Sequence, residues 1–300
     1  MKAARNALVL AAFLSFGAPL IATGAGKASS TGTRTEILPG RPTAAKGIDP
    51  KALSENVKKG TAYLAKLQQP DGGWGEGEEA ATMGAHGKMA SVSNVADTSI
   101  AVLSLFRAGS TPSKGDYSTN ILKGLDFVMA SVEKSDADSL FVTDVKGTRV
   151  QSKIGVYVDT FLSSLVLAEV KGTMPDAKSE KRLSAALEKV VRKIEKNQQA
   201  DGTYSGNAGW ASVLSTGLAG KSINRAAQSG VDVDRTTLAR AEKMAVSSYD
   251  TKAGGFKSAG AMGAAAPSDA GVAIYNVSAQ VSNLSESVNK IGRASCRERV

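Results

Sequence analysis

The stretch Gln68-Gln69-Pro70-Asp71-Gly72-Gly73-Trp74 has a near copy later in the chain, and this repetition indicates the fold. Its copy, Gln198-Gln199-Ala200-Asp201-Gly202-Thr203-Tyr204, lies 130 residues later and keeps both glutamines, the aspartate, the first glycine and an aromatic residue. Glycine at these positions ends a helix and allows a turn, and the aromatic side chain can fold back for burial. Two matching turns indicate an internal duplication.

Each turn is preceded by an amphipathic helical pattern and followed by a more apolar one. Shorter matches extend the register: Lys123-Gly124 followed by Phe127 repeats Lys59-Gly60 followed by Tyr63, and Gly254-Gly255-Phe256 ends a further unit. The more apolar helices are predicted at residues 97–106, 159–170, 210–219 and 269–281. The sequence therefore predicts an all-α protein built from four helix pairs.

The charged helix of each pair is expected on the outside and the apolar helix on the inside, where Ser and Ala residues permit close packing. Stacked hairpins of this kind form either a linear solenoid or a closed ring. The periodicity of the sequence is compatible with both arrangements.

The spacing Lys59-Gly60-x-x-Tyr63-Leu64-x-x-x-Gln68-x-x-x-Gly72-x-Trp74 resembles the Gln-Trp motif of squalene and oxidosqualene cyclases and of related prenyltransferase repeats. The resemblance covers residues 49 to about 290 and implies an α/α toroid of repeated helix hairpins, incomplete at the C-terminus. The glutamine would bond backbone groups of a neighbouring hairpin while the aromatic ring stacks over it. This structural role would fall to Lys59, Gly60, Tyr63, Gln68, Asp71, Gly72, Trp74, Gln198, Asp201, Gly202 and Tyr204.

Both ends of the chain are expected to lie outside the fold. Residues 1–24 have the basic start, apolar stretch and small residues of a secretory signal, which predicts a secreted or periplasmic protein without a transmembrane anchor. Residues 25–48 read as a flexible leader, and the Asp49-Pro50 pair suits the start of the first helix. Residues 291–300 resemble the translation of a sequencing adapter, so we expect a truncated repeat domain over 49–290.

Composition and charge narrow the function further. The 300 residues are 42% hydrophobic and 5% aromatic, and the formal net charge is +9. The two end segments account for four of these nine charges, and the remaining lysines are scattered without interleaved aromatic residues, so nucleic-acid binding is not predicted. The single cysteine, Cys296, belongs to the tail, so the expected fold needs no disulfide.

No complete catalytic set is visible in the sequence. The nearest match to the Asp-x-Asp-Asp acid of squalene-type cyclases is Asp232-Val233-Asp234-Arg235, where Arg stands in the last place and Asp234 is interpreted as a helix N-cap. The single histidine, His86, has no cysteine partner for zinc, so neither a metal nor a cofactor is predicted. Gly220-Lys221-Ser222 is interpreted as the end of an inner helix and not as a phosphate loop.

Acidic residues recur at the predicted starts of the inner helices. Asp97, Asp159 and Asp269 would lie around one rim of a ring, where they either cap helices or select cationic or polyhydroxylated ligands. Trp210, at the start of another inner helix, is a further candidate for contact with a ligand.

The leading functional hypothesis is an exported toroid that binds a ligand or partner in its central cavity, either a small hydrophobic or polyhydroxylated molecule or an envelope protein. One alternative is a terpenoid-cyclase-like enzyme whose acidic motif lies in the missing C-terminal part. A second alternative is an envelope scaffold that acts through its outer surface. Fold resemblance supports the architecture more directly than the activity.

Overall fold

The computed structural model describes residues 52–75, 92–207, 212–247, 249–250 and 255–256. In this part of the chain there are eight helices and one pair of two-residue strands, so the all-α prediction is confirmed there. The helices are α1 (Glu55–Lys66), α2 (Val95–Arg107), α3 (Ser118–Lys134), α4 (Arg149–Ile154), α5 (Val158–Val170), α6 (Ala177–Asn197), α7 (Ser212–Gln228) and α8 (Arg235–Ser247). The antiparallel strands are β1 (Tyr249–Asp250) and β2 (Gly255–Phe256).

The helices alternate between two layers along the chain. Helices α2, α5 and α7 form the inner layer, with α5 packed between the other two. Helices α1, α3, α6 and α8 form the outer layer: α1 and α3 pack on α2, α6 packs on α5, and α8 packs on α7. Successive outer helices α3 and α6 also contact each other, so adjacent hairpins are joined in both layers.

The two layers differ in sequence for a physical reason. Every residue of α5 except Glu169 is buried, and the helix is correspondingly apolar, with Phe161, Leu167 and Val170 fully enclosed. Helix α6 buries only one stripe, in which Leu183, Leu187, Val190 and Ile194 recur at helical spacing. A helix enclosed on all sides must be apolar all round, whereas an outer helix needs one apolar face.

Several helix boundaries differ from the sequence predictions. Helix α1 begins at Glu55 and not at Asp49-Pro50, because the Ser54 hydroxyl accepts a hydrogen bond from the Val57 amide at 3.4 Å and caps the first turn. Helix α7 does not end before Gly220 but continues to Gln228, because Ala219, Ser222, Ile223 and Ala226 form a buried stripe. The sequence pattern does not predict the short helix α4, in which Thr148 and Gln151 form a capping box.

Other predictions fall outside the described residues. These are the signal segment, the leader, the inner helix predicted at 269–281, and the tail at 291–300. None of the helices given above combines the length and the apolar character needed to cross a bilayer.

Candidate functional site

The first repeat turn ties α1 to α3 through a glutamine. The Gln68 Nε2 group donates hydrogen bonds to the carbonyls of Gly72 and Asn120, both at 2.9 Å. The Asn120 Nδ2 group donates in return to Gln68 Oε1 at 2.7 Å. Because one amide thus bonds its own turn and the next outer helix, the glutamine fixes the turn and its neighbour together.

The aromatic residue of this turn lies in the core between the hairpins. Trp74 is buried, its ring nitrogen donates to the Leu64 carbonyl at 2.8 Å, and its backbone amide donates to Thr98 Oγ1 on α2 at 2.9 Å. The Asp71 carboxylate shapes the turn by accepting hydrogen bonds from the Gly73 amide and the Ser93 hydroxyl, both at 2.9 Å. Trp74 therefore satisfies its polar groups while its ring fills the interface.

The turn at 198–204 repeats this geometry. Gln198 Nε2 donates to the Thr237 carbonyl on α8 at 3.2 Å, as Gln68 does to Asn120 on α3. Gly72 and Gly202 both have a φ of +87°, and Tyr204, like Trp74, is buried. The predicted duplication of the turn is therefore present in three dimensions.

The glycine of each turn lies against the backbone of the next outer helix. A Cβ on Gly72 would be 2.7 Å from the Lys123 carbonyl oxygen, and a Cβ on Gly202 would be 2.7 Å from that of Arg240. In both cases this carbonyl lies three residues after the one that accepts the glutamine. The two turns thus contact their acceptor helices in the same register.

The turn that follows α3, at residues 135–139, lies between these two turns in the chain and is bound by lysines in place of a glutamine. Lys189 on α6 donates to the carbonyls of Glu133 and Ser135 at 2.9 and 2.6 Å, and Lys193, which is only 1% exposed, donates to the Asp136 carbonyl. Here the following helix supplies the donors and the turn supplies the acceptors. Burial lowers the pKa of Lys193, and hydrogen bonds from Ser139 lower the pKa of Asp136. The sequence does not predict this contact, although Lys193 lies on the apolar stripe of α6.

The Asp159 carboxylate caps an inner helix, but not its own. Its two oxygens accept hydrogen bonds from the Ala96 amide, in the first turn of α2, at 3.0 Å and from Gln151 Nε2 at 2.7 Å. The side chain is 2% exposed, and burial raises its pKa. This geometry favours capping over contact with a ligand, because protein donors already occupy both oxygens.

Asp97 lies beside this buried carboxylate and is more open. Its side chain is half-buried and accepts a hydrogen bond from Asn94 Nδ2 at 2.7 Å. Burial raises the pKa of Asp97, and the charge of Asp97 adds to the rise in the pKa of Asp159. Two of the four candidate residues, Asp97 and Asp159, therefore lie near each other, whereas Asp269 and Trp210 fall outside the described residues.

An exposed stripe runs along α2 from Asp97, and its other members are Ile100, Ser104 and Arg107. Ile100 is 42% exposed, a large fraction for an apolar residue of an inner helix. The opposite side of α2 carries Thr98 and Val102, which lie against α3 at Gly124. The stripe therefore faces away from the outer layer. Its members recur at spacings of three and four residues, which is the signal that could have identified it.

The remaining candidate motifs have structural roles where they are described. Asp234 caps α8 by accepting a hydrogen bond from the Thr236 amide at 3.0 Å, a bond that lowers its pKa, so the N-cap prediction is confirmed. Gly220-Lys221-Ser222 lies inside α7, which excludes a phosphate loop there. His86 is not among the described residues.

An open groove of about 480 Å³ lies on the outer surface. Two of its charged residues form an ion pair, since Arg182 bonds Asp126 at 2.6 Å, and Arg182 also bonds Glu133, which is not among the lining residues, at 2.7 Å. The groove is lined by Asp71, Asp126, Phe127, Ala130, Ser131, Lys134 and Arg182. Exposed ion pairs of this kind contribute little free energy.

Within the described ranges, no group of three or more His, Cys, Asp or Glu side chains is arranged to hold a metal ion. Comparison with known proteins yields no match to a family model, a curated protein or a solved structure. The resemblance of the turns to cyclase repeats stays a prediction from the sequence.

Proposed function

We propose that this chain is an exported α/α-toroid protein of the squalene-cyclase and prenyltransferase repeat type that binds a small amphiphilic, polyhydroxylated ligand on its inner helices. The repeated turn supports the architecture. Two turns 130 residues apart share the glutamine bond, the positive φ and the buried aromatic residue, and each joins one hairpin to the next outer helix. A row of hairpins joined in this way curves around its inner helices when it closes.

The exposed stripe of α2 supports the proposed class of ligand. Ile100 offers an apolar surface, Asp97 at one end accepts hydrogen bonds, and Arg107 lies about 15 Å away at the other end. A ligand with a hydrocarbon segment and several hydroxyl groups matches this order of apolar and polar groups. Because Asp97 is partly desolvated, a hydroxyl that bonds it displaces little water.

Isothermal titration calorimetry with octyl glucoside, used below its critical micelle concentration, tests this proposal by measuring the binding affinity. We expect the 300-residue chain to bind it and Ile100→Arg to weaken the affinity at least about tenfold, because the guanidinium covers the apolar stripe. Val92→Arg is the matched control, since Val92 is 50% exposed and precedes α2. Equal affinities for the wild type and Ile100→Arg, or no binding by the wild type, would contradict the proposed ligand class.

A further inference from the structure

Helix α4 belongs to neither layer of the fold. It packs on α5 and α7, two helices of the inner layer. Its partly buried Val150 and Ile154 pack against a small apolar cluster that is distinct from the main core. The members of this cluster are Ala96 of α2, Val158 and Leu162 of α5, and the partly buried Leu218 of α7. Helix α4 thus covers an apolar surface to which all three inner helices contribute.

The covered surface continues the exposed stripe of α2. Ala96 precedes Ile100 by four residues, so the two side chains lie on the same face of the helix. Ala96 is fully buried in the cluster beside α4, whereas Ile100, one turn further along, is 42% exposed. The apolar face of α2 is therefore covered at its first turn and open at the next.

A buried hydrogen bond fixes α4 to the inner layer. The side chain of Gln151 is 3% exposed, and its Nε2 group donates to Asp159 Oδ2 on α5 at 2.7 Å. The same group donates to the Val145 carbonyl at 3.0 Å, and Gln151 Oε1 accepts from the Thr148 amide at 3.3 Å. The last two bonds hold Gln151 to the segment that precedes α4, so the bond to Asp159 joins this whole segment to α5.

The chain on either side of α4 contains a glycine in a conformation that other residues rarely adopt. Gly147 has a φ of +73° and Gly155 a φ of +150°, and no atom lies within 4 Å of the position of a Cβ on Gly147. Helix α4 has six residues, too few for a helix that is stable without packing. A short helix between two glycines, held by a small cluster, opens at a lower free-energy cost than the core helices.

We propose that α4 is a movable strap over the ligand site of the inner helices, and that the hydrocarbon segment of a bound ligand displaces it. This inference rests on the function proposed above. In the closed position the apolar side chains of α4 occupy the cluster. In the open position the hydrocarbon extends from Ile100 into the cluster, and water replaces Gln151 at the Asp159 carboxylate. The ligand thereby replaces one apolar contact by another, and the population of the open strap limits its affinity.

Hydrogen exchange of the 300-residue chain, measured by mass spectrometry with and without octyl glucoside, tests the displacement. We expect octyl glucoside, below its critical micelle concentration, to accelerate exchange of the α4 amides at least about threefold, because it shifts the population towards the open strap. The amides in the buried stripe of α6 should exchange at an unchanged rate. A ligand that binds beside a closed strap would instead slow the exchange of α4.

A variant that releases the strap provides a second test. Gln151→Ala removes the bond to Asp159, and we expect it to bind octyl glucoside at least about threefold more tightly than the wild type, because opening the strap then costs less. Ser152→Ala, at an exposed position of the same helix, is the matched control and should bind like the wild type. If Gln151 served stability alone, its removal would speed exchange without raising the affinity.

The outcomes separate the strap from the proposed ligand class. Binding of octyl glucoside that leaves exchange of α4 unchanged or slows it overturns the strap, while the ligand class stands. An affinity of Gln151→Ala no higher than that of the wild type overturns it as well, provided that circular dichroism shows the helices retained. If that variant loses its helices, exchange in the wild type decides alone. No binding of octyl glucoside by the wild type contradicts the ligand class and the strap together.

Discussion

Gly72 shows how one residue joins two hairpins. Its φ of +87° disfavours any side chain, and its close approach to the Lys123 carbonyl leaves no space for one. Gly172 has a similar φ of +81°, but no atom lies within 4 Å of the position of its Cβ. Substitutions at Gly72 and Gly172 therefore separate the free-energy cost of the backbone conformation from that of a clash between hairpins.

We predict that Gly172→Ala lowers the free energy of unfolding by about 1 kcal/mol, the cost of the left-handed conformation alone. Gly72→Ala should lower it by about 3 kcal/mol, because the methyl group also displaces α3. Urea unfolding of the two variants and the wild type measures the difference. Equal losses would show that the approach of the turn to α3 contributes no stability.

The half-buried Asp97 and the buried Asp159 predict an unusual dependence of stability on pH. The pKa values of Asp97 and Asp159 are raised in the folded state, so the folded protein takes up these protons at a higher pH than the unfolded chain does. Their contribution to the free energy of unfolding therefore falls as the pH rises from about 4 towards neutrality. Asp136 and Asp234, whose pKa values are lowered, act in the opposite sense below about pH 4.

We expect Asp159→Asn to reduce the gain in stability between about pH 7 and pH 5, since the amide oxygen still accepts from Ala96 but no longer titrates. Urea unfolding at both pH values measures this change. Asp116→Asn, at an exposed position, is the control and should keep the wild-type dependence. An unchanged dependence in Asp159→Asn would contradict the assigned role of the buried carboxylate.

Helix α6 contacts the preceding hairpin through lysines, where the two repeated turns use a glutamine. Lys193 is buried and bonds the Asp136 carbonyl just beyond the end of α3, whereas Lys196 bonds Asp138 on the surface. A basic residue near the end of a helix satisfies carbonyls that the helix leaves free and interacts favourably with its dipole. The contact between α3 and α6 is thus made by lysine hydrogen bonds, where the other two turns use a glutamine.

We predict that Lys193→Met costs about 1–2 kcal/mol of unfolding free energy, because a carbonyl loses its buried donor while the methionine preserves most of the packing. Lys196→Met should cost less than about 0.5 kcal/mol, since its ion pair is exposed. Thermal and urea unfolding measure both. A larger loss for Lys196→Met than for Lys193→Met would contradict this assignment.

Across the chain, the sequence predicts the turns that are repeated and does not predict the contacts that occur only once. The contact between hairpins that Gln68 and Gln198 make can be predicted, because helix ends and glycine turns have recognisable local sequences. Lys193 and α4 are not revealed, since each depends on a partner distant in the chain: Lys193 on Asp136, and α4 on the covering of α5. The sequence groups Asp159 with the other helix starts, but only the structure shows that it caps the neighbouring helix.

Methyl NMR tests directly whether the ligand binds on the exposed stripe of α2. We predict that titration with octyl glucoside shifts the δ1-methyl resonance of Ile100, which is 42% exposed on the stripe. The methyl resonances of Ile121, Ile194 and Ile223, which are fully buried, should remain nearly unchanged. If the Ile100 resonance does not move, or all four move alike, the ligand does not bind on the inner face of α2 and the account of its function is contradicted.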